Sequence, residues 1–225
     1  MPSGTIYKRL LSLPLFQGLS ATDLSSIIET SRLGFLPCPS EEAIVTSGAP
    51  CRQLVFVMSG RVRVDTWNVS HTYHVVEYLP APLMIEPERL FGLHQYHLHS
   101  YIAEETCRLL TIDKQDVMRI ATTHLAVRLN LLNAIATKAQ RHELQPWRPT
   151  PQTVDNHIVR FFSTHALYPA GKKVYHIKMK QLASELNDSR EDISRALHRL
   201  QSRGLVTLAR GRIIVEALEA CLRDG

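Results

Sequence analysis

From about residue 33 to residue 112, short apolar runs alternate with Gly, Pro and Asp: AIVTSGAP, LVFVMSG, RVRVDTW, HVVEYLP, SYIAEE and RLLTID. Val55, Val57, Val62, Val64, Val75 and Val76 are β-branched, which favours strands. Turn signals at this regular spacing predict antiparallel strands in a sandwich or barrel. Ahead of them, Leu10, Leu11, Leu13, Leu15 and Phe16, followed by LSATDLSSIIE, read as short helices, with Ser20 or Thr22 as an N-cap. Residues 114–144 contain no Gly or Pro and are rich in helix formers, which predicts one long helix starting after Asp113. Within it Leu125, Leu129, Leu132, Ala136 and Ala139 recur at spacings of 4, 3, 4 and 3. That seam fits a helix that pairs with another helix, and equally one that lies on its own domain.

The stretch QPWRPTPQ, residues 145–152, holds Pro146, Pro149 and Pro151, and a helix must stop or bend there. It reads as a hinge or a plain linker. Beyond it, Val154, Ile158, Phe161 and Phe162 mark a helix, YHIKM a strand, and KQLASELN a short helix. SREDISRALHRLQSRG is a further helix with Ile193, Leu197 and Leu200 inward and Gly204 just past its end. LVTLARGRIIV reads as a hairpin turning at Arg210–Gly211. Two short helices and then a hairpin make a winged helix-turn-helix. The expected fold is therefore α+β: antiparallel strands in a sandwich or barrel over 1–112, a long helix over 113–145 and a winged helix-turn-helix over 146–225.

At 225 residues the chain is long enough for one large domain or two smaller ones. No window approaches the roughly 20 apolar residues of a membrane span, and the first 20 residues are too polar for a signal peptide. The expectation is a cytoplasmic protein with no membrane partner. Cys38, Cys51, Cys107 and Cys221 are scattered and form no CxxC pair, so they read as reduced packing groups rather than disulfides or a metal site. The net charge of +5 is uneven: residues 1–112 hold 8 Lys/Arg against 10 Asp/Glu, and residues 151–225 hold 12 against 8. A basic C-terminal part favours a polyanion partner.

In a helix-turn-helix the N-terminal residues of the second helix meet base edges in the major groove. That helix starts at Ser189, with Arg190, Glu191, Ser194 and Arg195 on one strip and the apolar residues opposite. Arginine pairs with guanine O6 and N7, and glutamate accepts from cytosine N4. Lys178 and Lys180 open the preceding helix, Arg199 lies further along the second, and Arg210 and Arg212 stand at the hairpin tip. All of these are candidate contacts to double-stranded DNA. Alternatively the arginines form a solvated face with partners such as Glu191–Arg195.

SRExxxR at 189–195, after a short helix and before RGLV and a hairpin, resembles the Crp/Fnr family of bacterial transcription regulators. LPLFQGLSATDL at 13–24 looks like that family's N-terminal helices. IVTSGAPCRQLVFVMSGRVRV at 44–64, with Gly48 and Gly60 at its turns, looks like the first hairpins of its cyclic-nucleotide-binding-like β-roll. Residues 114–144 correspond to its dimerisation helix. The resemblance implies a homodimer on a two-fold symmetric operator, contact with RNA polymerase, and base reading by Arg190, Glu191 and Arg195.

That family holds a cyclic nucleotide with a Gly–Glu pair for the ribose and an Arg–Ser/Thr pair for the phosphate. Here no Arg or Lys lies between Arg89 and Arg108; the expected arginine falls near His97–Leu98 or His99–Ser100, and Glu86 and Glu88 lack a preceding glycine. Without its charge-assisted partner a cyclic phosphate loses much of its binding energy, which argues against cAMP. The first cysteine is Cys38, which argues against the family's iron–sulfur branch. The histidines at 71, 74, 94, 97 and 99 remain. On a strand, His97 and His99 would share a face, and with Met58 and Met84 they form a candidate effector site for haem or another gas or redox signal. Two other readings stay open. One is a cupin-like metal enzyme using His94, His97 and His99. The other is a regulator that needs no effector; a non-enzymatic DNA-binding protein is the expectation.

Overall fold

The computed structural model describes residues 3–144, 147 and 149–224, so Pro146 of the expected hinge lies outside the described residues. In chain order the elements are α1 (Ser3–Leu11), α2 (Ala21–Thr30), β1 (Leu33–Cys38), β2 (Ala43–Val45), β3 (Gln53–Ser59), β4 (Arg61–Trp67), β5 (His74–Pro80), β6 (Leu83–Ile85), β7 (Ser100–Ala103) and β8 (Cys107–Asp113). They continue with α3 (Lys114–Thr123), α4 (Leu125–Leu144), α5 (Val154–Thr164), β9 (Lys173–His176), α6 (Met179–Leu186), α7 (Arg190–Ser202), β10 (Thr207–Ala209), β11 (Arg212–Val215) and α8 (Leu218–Asp224). The chain folds as two compact units, one of residues 1–62 and 80–144 and one of residues 63–79 and 145–225.

In the first unit an antiparallel sheet runs β1-β8-β3-β6, and β2 pairs with β7. Inward residues of β3 and β8, among them Leu54, Phe56, Leu110 and Ile112, meet Leu10, Phe16, Leu24 and Ile27 from the N-terminal helices in one buried core. Ser20 caps α2 in a capping box with Asp23, which decides between the two expected caps. Gly60 (φ 100) turns β3 into β4 where a Cβ would fall 2.7 Å from Cys107 Sγ, so no other residue fits. All four cysteines are free and buried.

The single helix expected over 114–144 is two. His124 takes an extended backbone (φ −117°, ψ 105°) between α3 and α4. The preceding Thr122 and Thr123 hydroxyls donate to the carbonyls of Met118, Arg119 and Ile120, a local competition that weakens the helix there. α4 is pinned by Asn130, whose Nδ2 donates to the carbonyls of Leu15 and Gln17, and by the buried Val127 and Leu131.

The second unit is a sheet ordered β10-β11-β9-β5-β4, with a buried core of Tyr73, Ile158, Phe162, Tyr175, Leu182, Leu197 and neighbours. Residues 63–79 supply two of its five strands. β5 pairs antiparallel with β9, with His74 opposite His176 and Glu77 opposite Lys173. The first pair stacks with ring centroids 4.3 Å apart, and Trp67 stacks on His74 at 4.2 Å. The second is an ion pair of 2.9 Å with both side chains wholly buried. The Glu77 carboxylate also accepts the Leu167 and Tyr168 N–H groups, and Lys173 Nζ also donates to the Ala170 carbonyl. Both carboxylate oxygens and the ammonium nitrogen of this buried pair therefore have partners, as burial of charge requires.

Candidate nucleic-acid interface and sensor site

α6 is capped by Asn187 in the left-handed region (φ 54°, ψ 39°), which starts the three-residue turn Asn187–Asp188–Ser189 into α7. Ser189 caps α7: its Oγ accepts the Asp192 N–H at 3.0 Å and donates to the Asp192 carboxylate at 2.6 Å. At the other end Gly204 N–H donates to Gln201 O and Leu205 N–H to Leu200 O, a Schellman closure around Gly204 at φ 72°. Ile193, Ala196, Leu197 and Leu200 are buried, so α7 is anchored along one face. The two-residue loop Arg210–Gly211 joins β10 to β11, with Gly211 at φ 73°.

The anchoring leaves Lys178, Lys180, Ser189, Arg190, Glu191, Arg195, Arg199, Arg210 and Arg212 exposed and Ser194 half-buried. Two of the arginines have partners that sequence reasoning missed. Arg195 donates to Asp192 at 2.5 Å, not to Glu191. Asp192 was legible as the third residue after the Ser189 cap, and the Ser189 hydroxyl and Arg195 hold its carboxyl below its usual range. Arg199 Nε donates to both Asp155 oxygens at 3.1 and 3.2 Å, tying α7 to α5 across 44 residues of chain. No local pattern announces that pair. Arg190 occupies the first position of α7, the end that a helix-turn-helix turns toward base edges.

In the first unit the candidate effector residues separate. Met58 and Met84 flank the hydrophobic core. His94 is exposed, whereas His97 and His99 are buried, on irregular chain before β7 rather than on a strand. Both converge on Glu86. His97 Nδ1–H donates to Glu86 Oε2 at 2.9 Å, Leu98 N–H to Oε2 at 3.0 Å and His99 N–H to Oε1 at 3.2 Å. His99 Nε2 stands 3.8 Å from Oε1. Burial alone would raise the Glu86 carboxyl, but the His97 hydrogen bond, the His99 charge and the Leu98 N–H outweigh it and leave it lowered. Glu86 itself sits in the left-handed region at φ 38°. Among the described residues no three potential ligands stand together as a metal site.

Hydrogen bonds that His97 donates to the Cys51 sulfur and the Glu86 carboxylate hold it up to about 9, while burial pushes His99 down to about 4. A cationic His97 has no lone pair for iron, so of the two histidines only His99 could ligate haem at neutral pH. A pH profile follows. His97 is protonated in the folded state and neutral in the unfolded state between about 6.5 and 9, so stability falls as pH rises through that window. His99 is neutral when folded and protonated when unfolded between about 6.5 and 4, so stability falls as pH drops through that window. The contribution of this pair is greatest near pH 6.5. Urea titrations across pH should show the alkaline slope vanish in His97→Gln and the acid slope vanish in His99→Gln.

Residues 36–124 match the family model of the cyclic nucleotide-binding domain, and residues 157–221 match that of the Crp-like helix-turn-helix domain. Among solved structures, the Thermus thermophilus catabolite activator protein is 21% identical over 94% of this chain and 96% of its own, with a TM-score of 0.50. A structure from Eubacterium rectale described as a putative transcriptional regulator of the Crp/Fnr family is 20% identical over 94% and 98%, with a TM-score of 0.51. No curated protein matches the chain in sequence. No helix among the described residues is long and apolar enough to cross a membrane. With a cyclic nucleotide-binding domain and a Crp-like helix-turn-helix in this order, the chain belongs to the Crp/Fnr family of DNA-binding transcription regulators.

Proposed function

We propose that the protein acts as a homodimer on a palindromic operator, through Arg190, Glu191 and Arg195 at base edges and Lys178, Lys180, Arg210 and Arg212 at phosphates. The carrying observation is the cap-anchored α7, which buries one face and presents Arg190 and Arg195 on the other. Phosphate contacts fix register and base contacts supply specificity, so both sets are needed. Arg199, held by Asp155, serves the fold more than the DNA. RNA polymerase is the protein partner such a regulator would engage, and the cytoplasm its place of action.

Support for the dimer comes from α4. Leu125, Leu129 and Leu132 are 58%, 48% and 55% exposed, and Ala136 and Ala139 are exposed with them. The heptad seam is therefore not the face that α4 buries in its own unit, which is the face of Val127 and Leu131. A second copy of the same seam is a self-complementary cover, as two-fold symmetry requires. Leu129→Lys is expected to give monomers by sedimentation and to weaken binding to a palindromic site at least tenfold while leaving the fold intact. A dimeric Leu129→Lys would remove this reading.

Support for a sensor that takes no cyclic nucleotide comes from Glu86. The positions that would hold phosphate by the family resemblance fall near His97–Leu98 or His99–Ser100, and the Glu86 carboxylate already accepts from His97, Leu98 and His99. Millimolar cyclic AMP is accordingly expected to leave the melting temperature unchanged. The same arrangement favours a regulator that needs no diffusible effector over one that responds to haem.

A further inference from the structure

We propose that Glu86 is a tethered ligand: its carboxylate fills an oxyanion site built by the Leu98 and His99 backbone N–H groups and the His97 ring, and a chain lacking that carboxylate takes a free carboxylate or phosphate in its place. The inference deepens the effector-independent reading above and rests on it only for its biological meaning.

Four observations carry it. Two successive backbone N–H groups, 3.0 and 3.2 Å from the carboxylate oxygens, form the kind of concave donor pair that accepts carboxylate and phosphate alike. A ring nitrogen adds a third donor at 2.9 Å. The Glu86 side chain is completely buried, so its charge is spent inside the protein rather than in water. The backbone is bent to deliver it: a non-glycine residue at φ 38°, directly before Pro87, lies in a region such residues seldom occupy. Such strain persists where the surroundings over-determine it, here through the three bonds to the carboxylate.

The surroundings suit an anion more widely. Arg89 and Lys138 lie close enough to His99 to oppose its protonation, Lys138 being paired with Glu88, which leaves Arg89 as the cation not held by that pair. In the turn that follows Glu86, Arg89 Nε is buried and has no hydrogen-bond partner among the described residues. A free oxyanion would therefore enter a site with donors in place and positive charge at its edge. In the native chain Glu86 holds that place permanently, so the sensor unit stays in its anion-filled form whatever the solution contains.

The test is Glu86→Gly, which removes the carboxylate and relieves the backbone at once. Melting is followed in sodium acetate and in inorganic phosphate, each against sodium chloride of equal ionic strength. The expected result is a saturable rise in the variant's stability, an elevenfold gain in the folded-to-unfolded ratio at about ten times Kd, with no such rise in the native chain. The Leu98 and His99 amide resonances should shift along the same titration. Response to acetate alone identifies a site sized for a carboxylate, and response to both identifies a general oxyanion site. Should the variant fold only when an anion is added, circular dichroism gives the same supporting answer. A variant that folds but responds to chloride as to the oxyanions overturns the proposal, and so does one that folds in none of the three salts while Glu86→Gln folds. No step involves DNA, so this result stands apart from the operator reading.

Discussion

Lys173→Ala is expected to cost roughly 3–5 kcal/mol of folding stability, close to half of what a domain of this size has in total. The reason lies in what the substitution leaves behind. Glu77 would remain wholly buried with its cation removed and only the Leu167 and Tyr168 N–H groups to compensate. Glu77→Ala should cost about as much, since Lys173 would keep only the Ala170 carbonyl. Replacing both, Glu77→Leu with Lys173→Met, should recover most of the loss, because apolar side chains of similar volume carry no desolvation penalty. Urea unfolding followed by Trp67 fluorescence reads all three. A single substitution costing less than 1 kcal/mol would show that water reaches the pair.

Arg190→Ala is expected to lower operator affinity about 30-fold or more, while leaving affinity for unrelated DNA within a few-fold. A bidentate arginine–guanine contact is worth about 1–3 kcal/mol, and a two-fold operator loses it twice. Lys178→Ala should behave differently. It should weaken binding to all sequences alike and reduce the salt dependence by about one ion per protomer, as a phosphate contact does. Arg199→Ala separates fold from recognition, because its partner is Asp155 on α5. It should lower stability more than specificity. Fluorescence anisotropy against the operator and a scrambled duplex at several salt concentrations distinguishes the three. Equal losses on both duplexes for Arg190→Ala would take that residue out of base reading.

Features set by neighbours in sequence were readable in advance. The Ser189 cap, the leucines of α7, Gly204 and the Arg210–Gly211 loop are local signals, and the structure forms all of them. The outward-facing seam of α4 was also visible, though its uses could not be told apart from spacing alone. What escaped were the long-range pairings. Nothing in HVVEYLP announces that β5 will pair with β9 nearly a hundred residues on. Glu77 within that run reads as an outward-facing polar residue until Lys173 is placed opposite it. His97 and His99 were noticed together, but as ligands for something external. Their partner, Glu86, was set aside for lacking a glycine in front of it. The break at His124 was hidden because the two threonines that cause it are only mildly unfavourable in a helix.

The five-stranded sheet of the second unit has a consequence for how the chain is made. A ribosome releases β4 and β5 early, and β9, the partner of β5, begins at Lys173, 94 residues after Leu79. At about 5–20 residues per second the hairpin waits roughly 5 to 20 s for the strand it pairs with. Through that interval β5 keeps an open edge of backbone donors and acceptors, with Glu77 still in water. Pausing or premature release between residues 80 and 173 would therefore leave a nascent chain with an unpaired strand in search of another copy.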